Sequence, residues 1–232
     1  MMIRVFLAVA AIAATLGSAL RAGEPVVVEL FTSQGCSSCP PADALLAQLT
    51  EREDIIALAL HVDYWDYIGW EDQFADPAFT RRQKGYANAH GARTVYTPQM
   101  VIAGRSAIVG HKPLELAERI MRESDAPSPV DLDVTLDGGA VEVRLTPREP
   151  LGGDVLVQLV RYDARETVAI SRGENAGHTY TYHNIVTSWE TIARWDGREA
   201  LAVRHEAPGD RPTVVLVQRA GYGPILAAAR AR

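Results

Sequence analysis

From Val26 onward the chain runs through a series of apolar blocks whose periods assign elements. Val26-Val27-Val28-Glu29-Leu30-Phe31 is β-branched and almost wholly apolar, the pattern of a strand buried on both faces of a parallel sheet. Pro40 and Pro41 then open a helix from Ala42 to about Arg52, with Leu45, Leu46 and Leu49 on one face. Ile55 to Val62 is a second apolar strand, which completes a βαβ unit. Asp76 followed by Pro77 supplies the N-cap and first position of another helix. That helix is expected to end near His90, where Gly91 can take the left-handed conformation. Gln99–Ile102 and Ser106–Val109 flank Ala103-Gly104-Arg105 as a hairpin, and Pro113 opens an amphipathic helix carrying Leu114, Leu116, Ala117, Ile120 and Met121.

Ala126-Pro127-Ser128-Pro129 breaks this pattern and reads as a linker. Beyond it the period is two. Val130–Leu136 and Ala140–Leu145 flank Asp137-Gly138-Gly139, a hairpin signal, and Val155–Tyr162 and Thr213–Arg219 add further strands. The predicted class is α/β: a β-α-β-α-β-β-α segment over 23–125, the order of a thioredoxin-like fold, followed by a small, mainly antiparallel β-domain over 126–232. Residues 1–22 read as an export signal, with Arg4 ahead of the unbroken apolar run Val5–Ala14 and small residues after it. No later segment approaches membrane-spanning length, so the mature protein is expected to be soluble, and secreted or periplasmic.

Composition narrows the partners. Acidic residues outnumber basic ones 29 to 23, a formal charge of -6, and the basic residues are scattered, which argues against nucleic acid. Hydrophobic residues at 47% are enough for a buried core. No cofactor is expected.

Cys36 and Cys39 are the chain's two cysteines. A disulfide closing so short a loop restrains the unfolded chain little, so stability alone is a weak reason for the pair. Zinc sites with this spacing need a second pair of ligands, and no other cysteine supplies one. Between a buried strand and a helix start, Cys36 is expected to be the exposed nucleophile and Cys39 the resolving thiol, with no resident metal. The prolines place the start of the regular helix just after Cys39, which reduces the dipole's contribution at Cys36. Thr97-Pro98, just before a strand, reads by itself as an ordinary trans proline; with the upstream dithiol and the thioredoxin-like element order, a fold in which this proline is cis, it is expected to be a cis pair that shapes a docking groove beside the dithiol. Glu29 is costly to bury unless paired or protonated; it is read either as a proton relay to Cys39 or as half of a buried ion pair. His61, Asp63 and Trp65 leave the C-terminal end of the second strand, the sheet edge where ligands usually sit. They are candidates to tune the cysteines or line a partner site, the aromatics alternatively being packing. Cu(I) held by the thiolates with His61 or Met100 is the competing chemistry, and a non-catalytic binding module the competing class.

The stretch Leu30–Asp43, with His61-Val62-Asp63-Tyr64-Trp65-Asp66, Tyr96-Thr97-Pro98-Gln99, Arg172-Gly173-Glu174-Asn175 and Gly221–Leu226, resembles a family of secreted thioredoxin-like proteins known as domain of unknown function 1223. The resemblance implies a thioredoxin-like fold with an appended β-domain and no particular substrate. Ser37-Ser38 between the cysteines, the prolines after them and an extra residue in the preceding loop depart from thioredoxin itself. The expected activity is thiol–disulfide exchange with a protein or small thiol partner.

Overall fold

The computed structural model describes residues 24–232; the export signal expected over 1–22 lies outside them. Strand β1 (Val26–Thr32) is buried at all seven positions, as is β2 (Ile55–His61), and the two run parallel from Val26↔Ile55 to Thr32↔His61. A parallel pair needs a crossover, and α1 (Pro40–Leu49) supplies it. Helix α2 (Pro77–Ala89) starts on Asp76, whose carboxylate accepts from the Ala78 amide at 2.7 Å. Strands β3 (Gln99–Ile102) and β4 (Ser106–Val109) form the expected hairpin, with β3 antiparallel to β1, and α3 (Pro113–Ser124) follows. The element order β-α-β-α-β-β-α is therefore observed.

After the linker the chain is all strand: β5 (Val130–Asp137), β6 (Ala140–Pro147), β7 (Val155–Ala169), β8 (Thr179–Trp195), β9 (Leu201–Glu206), β10 (Thr213–Arg219) and β11 (Ile225–Arg230). The result is a mixed α/β protein rich in sheet. β5, β6 and β9 form a three-stranded sheet, but β7, β8, β10 and β11 extend the first sheet in the order β11-β10-β7-β8-β2-β1-β3-β4. The seam is the free edge of β2, where Ala59 pairs with Ile185 of β8 and the Asn184 side chain donates to the Ala57 carbonyl at 2.8 Å. Both halves of the sequence thus share one sheet. An unpaired apolar strand edge beside further strands is satisfied by that docking.

The alternation of β1 sorts the core. Val26, Val28 and Leu30 pack with Ala42, Leu46 and Leu49 of α1 and with Leu116 and Ile120 of α3. Val27 and Phe31 face the other way, onto Phe79 and Tyr86 of α2 and onto Val160, Val214 and Leu216 from the second half. Glu29 lies between Val27 and Phe31 and shares their face. It is fully buried, and its carboxylate is held by Arg82, which donates from Nε to Oε2 at 2.6 Å and from Nη2 to Oε1 at 3.0 Å. Tyr86 donates to the same Oε1 at 2.6 Å; Gln218 of β10 donates to Tyr86 and accepts from Arg82. Burial pushes the Tyr86 phenol well above its ordinary value, which keeps it a donor. The Arg82 guanidinium also lies 3.7 Å from the Trp189 ring centroid. Helix α2 carries Gly85 because the Tyr222 ring occupies the place of a side chain: a Cβ there would stand 2.2 Å from it.

Removing one partner of this cluster leaves the other charge buried. Arg82→Met is expected to lower stability by about 3–5 kcal/mol in urea denaturation. Replacing Glu29 and Arg82 together by methionine should restore most of that loss; a double variant as unstable as the single one would show that packing, not charge pairing, carries the effect.

Candidate functional site

The disulfide Cys36–Cys39 sits at the head of α1, with Cα atoms 5.4 Å apart. Cys39 is the N-cap and already helical, at φ -80 and ψ -34, and the helix starts just after it, as the prolines required. Their placement has an electrostatic consequence. Pro40 and Pro41 have no N–H, and the next two amides, of Ala42 and Asp43, both bond the Cys39 carbonyl at 2.8 and 3.1 Å. Few free donors remain at this helix start to stabilise a thiolate. The Ser38 hydroxyl lies 3.4 Å from the Cys36 sulfur, so it is placed to donate to that sulfur when it is ionised.

Exposure differs from the expectation. Cys36 is only 3% exposed and Cys39 is fully buried. The dithiol loop is held from two directions. Trp65 lies against the dithiol loop, close enough that a Cβ on Gly35 would be 3.3 Å from its own. From the second half, Asn175 donates its side-chain amide to the carbonyls of Gln34 at 2.8 Å and Cys36 at 3.1 Å.

Several of the residues singled out from sequence do converge here. Thr97–Pro98 is a cis peptide bond. A Cβ on Gly110 would be 3.0 Å from Ala42 and 3.1 Å from Pro98, which places the proline beside the first turn of α1. Trp65 donates its indole N–H to the Thr97 hydroxyl at 2.7 Å and so ties the aromatic loop to that proline. His61 is opposite Thr32 at the C-terminal ends of β1 and β2, on the α1 face.

Two candidates lie elsewhere. Glu29 is on the α2 face, across the sheet from α1, so the ion-pair reading applies to it and the proton relay to Cys39 does not. Alternation decides this, since one residue's shift along β1 exchanges faces. Asp63 is bonded by the Thr80 hydroxyl of α2, and its neighbour Tyr64 donates to Gln83 of the same helix, so this part of the loop anchors on α2.

The acid that does stand with the dithiol is Asp43, one helical turn after Cys39. Its carboxyl stands among His61, Thr32 and Asp72. Burial pushes its carboxyl up to about 7; His61 and the Thr32 hydroxyl oppose the rise and Asp72 adds to it. Beside it, His61 is fully buried and its Nδ1 pairs with Asp72 Oδ2 at 2.7 Å. Asp72 also accepts from the Gln34 amide at 2.8 Å, which links this pair to the dithiol loop. Because Nδ1 faces a carboxylate it carries the proton, and Nε2 is left buried with no hydrogen-bond partner. The rings of Phe74 and Tyr182 meet His61 edge-on, each at 5.2 Å. Asp43 was visible in the sequence as the acid four residues after Cys39. Asp72 and Tyr182 gave no signal, since only folding brings them to His61. Among the described residues no group of three or more His, Cys, Asp or Glu could hold a metal ion.

These features describe a mixed α/β protein with a closed disulfide at a helix head, backed by a buried His61–Asp72 pair with Asp43 beside it. The chain belongs to the family described as protein of unknown function (DUF1223), which matches residues 27–218. Among solved structures it is similar to protein AGR_C_4864 from Agrobacterium tumefaciens, with 31% identity and a TM-score of 0.75 over 89% of this chain and 93% of that one. It is also similar to HBP35 of Porphyromonas gingivalis, with 14% identity and a TM-score of 0.64 over 90% of this chain and 74% of that one, a likeness of fold alone. No curated protein matches.

Asp43 makes stability depend on pH with a definite sign. Its folded value of about 7 lies above the ordinary 3.8, so between them the native state holds a proton that the unfolded chain has released. Stability then falls as pH rises through that window, and the penalty is complete above it. Asp43→Asn is expected to be more stable than wild type at about pH 8, with the difference shrinking toward about pH 4.5. Parallel stability–pH curves in urea titrations would show that Asp43 ionises as it does in water.

Proposed function

We propose that this protein is an exported thiol–disulfide oxidoreductase of thioredoxin-like fold, acting through Cys36 and Cys39 on a protein or small thiol partner. The observation that carries the reading is the placement of the pair: two cysteines within bonding distance at the head of a helix, beside a cis proline, at the C-terminal edge of parallel strands. That edge is where α/β folds bind their ligands. The predicted export signal fits an oxidising compartment. Among the described residues no helix is long and apolar enough to cross a membrane.

In this reading the Cys36 thiolate attacks one sulfur of a partner disulfide. A Cys36–partner bond forms, and the partner's other sulfur leaves as a thiolate and takes a proton from water. The Cys39 thiol then passes its proton to the Asp43 carboxylate and attacks Cys36. The Cys36–Cys39 bond closes, and the partner's second sulfur departs and is protonated in turn. The dithiol has lost two electrons and the partner disulfide has gained them; run backward, the same steps oxidise a partner dithiol. Asp43 takes the place first considered for Glu29. Its value near neutrality suits both the giving and the taking of a proton.

The burial of Cys36 favours a second reading, a binding module whose disulfide is an inert cross-link. Trapping separates the two. A Cys39→Ser variant incubated with oxidised glutathione or a disulfide-bonded protein is expected to accumulate a mixed disulfide through Cys36, read by intact mass. No adduct, in a variant that melts cooperatively, would leave the binding module.

A further inference from the structure

Resting on the exchange reading above, we infer that Asn175 is a specificity-determining residue. Its side-chain amide occupies the place of a partner's main chain, and so selects polypeptide thiols over small ones. Asn175 stands in the turn between β7 and β8, far from the dithiol in sequence, yet it is only 5% exposed. Its side-chain nitrogen donates to two main-chain carbonyls of the dithiol loop, Gln34 and Cys36. An amide N–H bonded to a backbone carbonyl is what a docked peptide would offer at the same place.

Around Asn175 the turn is open to solvent. Its neighbours Arg172, Gly173, Glu174 and Ala176 are exposed, and Gly173 and Gly177 hold left-handed conformations at φ 79 and φ 83. Its hold on the first half is local. Gly173 packs on Trp70, where a Cβ would be 3.1 Å from that of Trp70, and Trp70 in turn donates to the Gln34 side chain at 2.8 Å. The hairpin behind the turn is fastened by a cluster of its own, Val168, Ile170, Tyr182 and Ile185.

With the tip seated, Cys36 is only 3% exposed. Lifting the tip removes the Asn175 donor from both carbonyls; that of Cys36 keeps the Cys39 amide at 3.2 Å, and that of Gln34 is left to find another donor, which is costly. A thiol flanked by peptide N–H groups replaces the donor lost from Gln34 as it arrives. A thiol without them leaves that carbonyl without its donor and meets the full cost. Asn175 therefore acts as a filter on the partner as well as a cover.

The test uses the full chain and two reductants. The rate of reduction of the Cys36–Cys39 disulfide is followed by alkylation and mass for glutathione, a peptide thiol, and for 2-mercaptoethanol, which has no amide. Thiol acidity cancels when the same two reductants are compared across variants. Asn175→Ala is expected to speed reduction by 2-mercaptoethanol about tenfold, the factor that one net hydrogen bond supplies, and reduction by glutathione by clearly less. Val143→Ala, in the core of the three-stranded sheet away from the dithiol, controls for general loosening and should change neither rate. Unchanged rates in Asn175→Ala, equal acceleration by both reductants, or the same acceleration in Val143→Ala would each overturn the assignment. The readout needs no physiological partner. A selective effect of Asn175→Ala together with failed trapping in Cys39→Ser would therefore retain the filter and remove the oxidoreductase reading.

Discussion

β1 is the constraint on which the rest of the molecule depends. Each of its seven side chains is buried, so every one has to be satisfied from within the protein. Apolar residues meet that requirement by packing, and they draw α1 and α3 to one face and α2 to the other. Glu29 cannot, because a carboxylate sealed from water needs a cation and donors. Arg82 and Tyr86 on α2 and Gln218 on β10 supply them, which commits both halves of the chain to the same face of β1.

The two faces then divide the work. The α2 face holds the ion-pair cluster, in which Glu29 has three donor contacts. The α1 face, at the end of the same strand, is under-satisfied. His61 Nε2 and Gln34 Nε2 are buried without partners, and Asp43 is a carboxyl whose proton is held near neutrality. Fully satisfied networks rigidify a core, while partly satisfied ones mark places where protons move or partners bind. The dithiol stands over the second kind.

The second half of the chain is part of this arrangement. β8 continues the sheet at the edge of β2, Tyr182 abuts His61, and Asn175 in the turn before β8 bonds the Cys36 carbonyl. The likeness to the Agrobacterium tumefaciens protein spans 89% of this chain, so it takes in that half as well as the first. A sulfur that is sheltered until a partner displaces a turn is protected from indiscriminate oxidation and exchange, since both require access to it.

Local patterns in the sequence were sufficient for the elements of the first half. The doubly buried strands, the proline-led helices and the hairpin at Ala103-Gly104-Arg105 each follow from residues near one another, because period, caps and turns are short-range properties. Cys36, Cys39 and the Thr97-Pro98 pair were legible for the same reason, as chemistry written into adjacent residues. The side of the sheet on which Glu29 falls was not, because an apolar run without alternation hides its own register. Nor could the chain reveal that β7 and β8 would dock on β2, that Asp72 would meet His61, or that Asn175 would reach back to Cys36. The first and last of those contacts join residues far apart in the chain, the second spans the loop between β2 and α2, and only the packing of one face against another decides which of many compatible partners is reached.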